Sequence, residues 1–186
     1  MRRRMIWVVA LGLLAALAVS AGELQGVSLP DRITAGGSEL VLNGMGLRTK
    51  LFFKIYVAGL YLPAKESDPA KILAADRPRQ LVMHFLYKEV EKKKLVEAWN
   101  EGFKKNSPSS LAAVQARLEK FNALWPDMKS GDRAVLTYFP GVGTKVEILG
   151  KEVGTIEGKD FADALFSVWL GPEPPNGDLK KGLLGQ

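Results

Sequence analysis

The chain has 186 residues, with 26 lysines and arginines against 20 acidic residues, for a formal net charge of +6. It contains no cysteine and a single histidine, His84. Thiol nucleophiles, dithiol redox chemistry, thiolate metal sites and multi-histidine metal clusters are therefore excluded.

The first residues read as an address. Met1 to Met5 carries three arginines, Ile6 to Val19 is apolar, and Val19-Ser20-Ala21 offers small residues before Gly22. That is the pattern of a secretory signal. The apolar run of about 14 residues falls short of the ~20 that span a bilayer. Residues 1–21 are therefore expected to be a cleaved signal, and residues 22–186 a single domain exported to a bacterial periplasm, without stable membrane insertion. An uncleaved anchor is the competing expectation. Removing 21 of 186 residues leaves 165, enough for one domain with a substantial core; the lost arginines lower the charge from +6 to +3.

Short strands follow: Leu24 to Leu29, Arg32 to Ala35 and Glu39 to Asn43, parted by turns at Pro30-Asp31 and Gly36-Gly37. The run Leu51 to Leu62 is apolar on both alternating faces, so it predicts a central strand covered on both sides. Asp68 to Ala75 predicts a short helix with Ser67 or Asp68 as cap and Pro69 in its first turn. Arg79 to Tyr87 reads as another strand. A helix is expected over Val90 to Lys105, where Leu95, Trp99 and Phe103 recur every four residues. A second is expected from Ser107-Pro108 to Trp125-Pro126. Lys92, Lys93 and Lys94 form the one tight basic run; without interleaved aromatics it reads as a solvated helix face rather than a nucleic-acid surface.

Strands return at Arg133 to Phe139, Lys145 to Leu149 and Lys151 to Ile156, a meander turned at Pro140–Gly143 and Gly150. Phe161 to Trp169 predicts an amphipathic helix stopped by Pro172, Pro174 and Pro175. Asp178 to Leu184 predicts a last helical turn at a loosely held end. The order of elements is that of an α+β fold.

The richest stretch is GMGLRTKLFFKIYVAGLYL, Gly44 to Leu62. Arg48 stands just ahead of an apolar, aromatic-rich strand. A guanidinium does not deprotonate, so beside a buried surface it needs an anion or an opening to water. The combination suggests a pocket for an apolar molecule bearing an acidic group. GMGLR followed by KIYVAGLYL also resembles the opening strands of the chalcone isomerase-like family. The likeness continues through RQLVMHFLY, the helix containing Trp99 and GTIEGKDFADALFSVWLG, over roughly Leu24 to Leu184.

The resemblance, to an exported bacterial branch of that family, implies an open-faced β-sandwich: a large antiparallel sheet with helices layered on one side. In the fatty-acid-binding relatives an arginine after the glycine motif and a tyrosine in the K-x-Y-x-A-G-type strand grip the ligand carboxylate. The matching residues are Arg48 and Tyr56. The true isomerases have threonine where Tyr56 stands. Their catalytic tyrosine falls at Tyr87, their helical asparagine at Lys94, and a late hydroxyl position at or beside Ser167, with Val168 the closer match.

These departures favour a binder of a small apolar carboxylate or phenolic ligand, such as a fatty acid, over an intramolecular lyase acting on a chalcone-like enone. No cofactor or metal is implied, and ligand contacts are expected from Arg48, Tyr56, Tyr87 and Ser167. The blander alternative is a periplasmic scaffold with a closed cleft, Arg48 meeting an internal acid and Tyr56 serving as core. Elsewhere, His84 lacks triad partners, Gly141-Val142-Gly143 reads as a hairpin turn rather than a phosphate loop, and Asp160 and Asp163 read as solvated helix residues. Glu147, Glu152 and Glu157 form no acid–base pair.

Overall fold

A computed structural model describes residues 21–186; apart from Ala21, the expected signal lies outside the described residues. The described residues begin with a hairpin, β1 (Ala21–Leu24) and β2 (Val27–Pro30), where one strand was expected. Gln25 and Gly26, both at positive φ, make the turn that divides it. Next come β3 (Arg32–Ala35), β4 (Ser38–Lys50), β5 (Phe53–Leu62), α1 (Pro69–Ala74) and β6 (Arg79–Phe85). β7 (Glu89–Val90), α2 (Lys92–Asn106), α3 (Leu111–Ala123) and β8 (Met128–Lys129) follow, the two short strands pairing with each other. β9 (Arg133–Phe139), β10 (Gly143–Ile148), β11 (Lys151–Ile156), α4 (Lys159–Leu170) and α5 (Gly177–Leu183) complete the described chain.

Seven strands form one antiparallel sheet in the order β11-β10-β9-β6-β5-β4-β3. The helices cover one face. Tyr56, Ala58, Leu60 and Leu62 of β5 meet Trp99 and Phe103 of α2, Phe121 of α3, and Phe161, Leu165 and Trp169 of α4. On the other face Val57, Tyr61, Val82 and Val135 pack with Leu40, Leu42 and with Val27 and Leu29 of the opening hairpin. β5 is thus the central, doubly covered strand that its apolar faces required. The start of α1 follows local chemistry: the Asp68 carboxylate accepts the backbone N–H groups of Ala70 and Lys71.

The glycine-rich segment departs from expectation. Gly44 to Arg48 belongs to β4, which continues to Lys50, and the chain reverses at Leu51-Phe52 before β5. Glycine here serves approach rather than turning. A Cβ on Gly44 would lie 2.1 Å from the Gly182 carbonyl oxygen, and one on Gly46 2.3 Å from that of Leu179. α5 therefore lies directly on the β4 backbone. Leu179 and Leu183 are fully buried, so the chain end is packed, not loose.

A bulge at Asn43 sets the facing of everything after it. Leu42 pairs with Tyr61 and Gly44 with Leu60, leaving Asn43 as an extra residue in β4. Leu40 and Leu42 point to the hairpin-covered face. Strict alternation would send Gly44, Gly46 and Arg48 the same way. The extra residue reverses the parity and turns them to the helix side. Asn43 holds the bulge by donating to the carbonyls of Leu183 (2.8 Å) and Glu66 (3.0 Å) and accepting the Glu66 N–H (2.9 Å).

Candidate functional site

Arg48 stands directly across from Tyr56 in the β4–β5 ladder. A second irregularity lies beside them. Arg48 pairs with Tyr56 and Thr49 with Lys54, so Ile55 is an extra residue in β5. Its carbonyl accepts the N–H groups of Leu86 (2.8 Å) and Tyr87 (3.2 Å), and its side chain lines a cavity on the helix side.

That cavity measures about 220 Å³. Its apolar wall is built from Ile55, Val90, Leu95, Ala98, Trp99 and Val168, with Pro174 and Pro175 on one side. Arg48, Tyr56, Lys50, Lys94, Glu101, Lys105 and Glu173 supply its polar groups. Glu101 is neutralised by Lys105 at 2.7 Å, whose hydrogen bond holds the carboxyl below its ordinary range. The remaining bias is cationic.

The guanidinium of Arg48 is held without being discharged. Its Nη1 donates to the carbonyls of Thr49 and Pro175 and to Asn176 Oδ1 at 2.8 Å. Asn176 is fixed in turn by the Thr49 N–H at 3.0 Å and Thr49 Oγ1 at 3.2 Å. No acidic side chain among the described residues pairs with Arg48. Its charge is left for an anion.

Tyr56 offers the complementary donor. Its hydroxyl oxygen accepts the Trp169 indole N–H at 2.9 Å. Among the described residues its own proton has no acceptor. Burial pushes the phenol pKa up, against the lowering effects of the Trp169 hydrogen bond and the Arg48 charge. It stays neutral, with its O–H free to donate. Behind it Trp99 packs at a tilt between Trp169 (5.5 Å) and Trp125 (5.1 Å) as a rigid floor.

The structure thus gathers Arg48 and Tyr56 at one cavity, while the other two sequence-predicted residues lie elsewhere. Tyr87 packs edge-on against Phe53, ring centres 5.2 Å apart, outside the lining. Ser167 turns to a different concavity, bonding Ser107 Oγ at 2.9 Å and the Ala164 carbonyl at 2.6 Å. Its neighbour Val168 lines the cavity instead, and Lys94 stands at the rim. Sequence reasoning missed Asn176 and Trp169 as partners. An asparagine directly before a helix normally caps it, but Asn176 makes no such cap because Arg48 and Thr49 occupy its oxygen.

A larger concavity of about 460 Å³ lies at the other end of β5, between Leu62 and Arg79. It is a weaker candidate because its deepest cation is already committed. Arg79 is 1 % exposed and pairs with Asp163 at 2.5 Å. It also lies 4.9 Å from the Tyr138 ring centre and 4.8 Å from that of Phe166. Asp163 also takes Lys159, while Asp160 takes Arg117 at 2.6 Å. Both aspartates are therefore structural partners, where the sequence suggested only solvated ones. Among the described residues no cluster of three or more His, Asp or Glu side chains is placed to hold a metal ion. None of the described helices is long and apolar enough to cross a membrane.

No curated protein matches the chain in sequence. Among solved structures it is similar to the crystal structure of a fatty-acid binding protein from Arabidopsis thaliana. The TM-score is 0.69 at 18% identity, covering 89% of this chain and 96% of that one. At that identity the likeness is one of fold: a large curled antiparallel sheet with helices on one side. The sequence profile described as chalcone isomerase-like matches residues 21–185, nearly the whole chain. The chain belongs to the chalcone isomerase-like family.

Proposed function

We propose that the protein binds a small apolar carboxylate without transforming it, and that it does so after export. The observation carrying this reading is an acid-free guanidinium beside a neutral phenol with an unused O–H, both lining one largely apolar cavity. A carboxylate there would accept from Arg48 and from the Tyr56 O–H, while its apolar body lay against Ile55, Leu95 and Val168. Few polar groups suffice to orient a ligand in such a site. The volume of about 220 Å³ suits a short acyl or aryl acid; a long acyl chain would leave its tail in the opening. Binding without turnover fits the separation of Tyr87 and Ser167 from the cavity. The fatty-acid binding of the Arabidopsis structural relative agrees in ligand class.

Native mass spectrometry followed by organic extraction should recover a defined acid from the wild-type protein. Arg48→Ala should weaken its binding by about 1.5–3 kcal/mol, the value of a hydrogen bond to a charged group. Unchanged affinity in a folded Arg48→Ala protein would refute the assignment. Ring closure of an added chalcone, abolished in that variant, would move the site to lyase chemistry.

A further inference from the structure

The turn between β4 and β5 has a composition that folding alone does not explain. Leu51 is 84 % and Phe52 98 % exposed, and Phe53 is half exposed. Leu51 also sits at φ 56, the left-handed region in which glycine or asparagine is at ease and leucine is not. Neither side chain gains from the core. An apolar pair in a strained, solvated turn points to something outside the fold that covers it.

The surroundings narrow the choice. Ladder pairing of β5 with β6 ends at Tyr56 and Phe85, and the Ile55 carbonyl holds Leu86 and Tyr87, so residues 49–54 project beyond the neighbouring strand as a two-stranded ribbon. Lys50 and Lys54 flank the tip, with no acid between Arg48 and Lys54. Tyr87 packs on Phe53, the residue just after the tip, and Lys88 beside it is exposed. An apolar point collared by lysines and a tyrosine is the chemistry of a segment that enters the acyl boundary of a bilayer while its cations stay with anionic headgroups. Lys50 and Ile55 line the Arg48 cavity as well, so the ribbon joins the cavity to its tip.

We propose that the Leu51-Phe52 tip docks the protein on an anionic phospholipid surface. The inference stands apart from the ligand reading: an empty cavity leaves the tip unchanged. Because the chain has no cysteine, Phe52→Cys carries one environment-sensitive fluorophore on the full chain. Val142→Cys, in the exposed β9–β10 turn at the opposite end of the sheet, is the control. Vesicles of phosphatidylcholine with added phosphatidylglycerol should shift the emission of the label at position 52 to the blue and leave that at 142 unmoved. Pure phosphatidylcholine or high salt should weaken the shift roughly tenfold or more.

Unlabelled Leu51→Asn/Phe52→Ser protein, with its melting temperature checked, should compete with the labelled chain at least about tenfold less well than wild type. Equal competition, an unmoved label at 52, or equal response to neutral vesicles would overturn the proposal. Shielding of position 52 that depends on protein concentration and needs no lipid would also overturn it, identifying a second copy as the cover.

Discussion

Two arginines carry opposite uses of charge in this molecule, Arg48 partly exposed and Arg79 buried. Arg48 is held by carbonyl and amide oxygens that orient it but leave its charge unmatched. Arg79 is paired: Asp163 lies on one side, the Tyr138 and Phe166 rings around it, and the carbonyl of Ile72 at 3.1 Å, with its buried Nε alone left without a partner among the described residues. Breaking a pair of this kind strands a charge that cannot be shed. Asp163→Asn should therefore cost about 3 kcal/mol in a urea titration, and Lys159 should not compensate because it too loses its partner. A cost no larger than that of an exposed pair would show that the carbonyls and rings alone suffice for Arg79.

At the level of elements, the position of the site depends on a parity change. The bulge at Asn43 puts Arg48 on the face of Tyr56, and three hydrogen bonds, the one to Leu183 buried, keep the extra residue in place. Asn43→Ala would leave the Glu66 N–H and the Leu183 carbonyl without partners, at about 1–3 kcal/mol for each unsatisfied group. The expected result is a lower melting temperature together with faster hydrogen exchange in α5, whose Leu183 carbonyl is released; exchange unchanged in α5 would contradict this account.

Much of the architecture was legible because apolar periodicity reports burial directly. Leu95, Trp99 and Phe103 marked α2; β11, mostly exposed, was instead set off by the turn at Gly150. What stayed hidden depends on groups far apart in sequence. Gly44 to Lys50 fell between the strands expected at Glu39 to Asn43 and Leu51 to Leu62, whereas this stretch continues β4, with Gly44 and Gly46 against the backbone of α5. Strict alternation would have put Arg48 on the wrong face. Arg48 and Tyr56 were visible as chemistry, but Asn176 and Trp169 were not, because their partners lie over a hundred positions away.

The whole molecule divides into two cores on either side of one sheet, and each contains a phenol that resists ionisation. Tyr61, on the hairpin-covered face, and Tyr138, on the helix side, are both pushed by burial from the ordinary 10.0 to about 12; for Tyr138 the hydrogen bond to Asp76 adds to the effect. The unfolded chain releases these protons near pH 10 and the folded chain near pH 12. Stability from both groups is thus complete below pH 10 and is lost as the pH climbs through that interval. Melting temperature should fall across it, and less steeply in Tyr61→Phe. A Tyr61→Phe slope identical to wild type would place the alkaline loss in other groups.

The clasp of Asn176 on Arg48 joins residues 128 positions apart. A ribosome makes the cation, its strand and Tyr56 early, and the segment that walls them in much later. Until residues 173–176 emerge, the cavity has a floor and a charge but no side. The sheet and the walled cavity are therefore completed at different moments of synthesis. An interruption between them yields a chain that carries Arg48 and Tyr56 without the segment that encloses them.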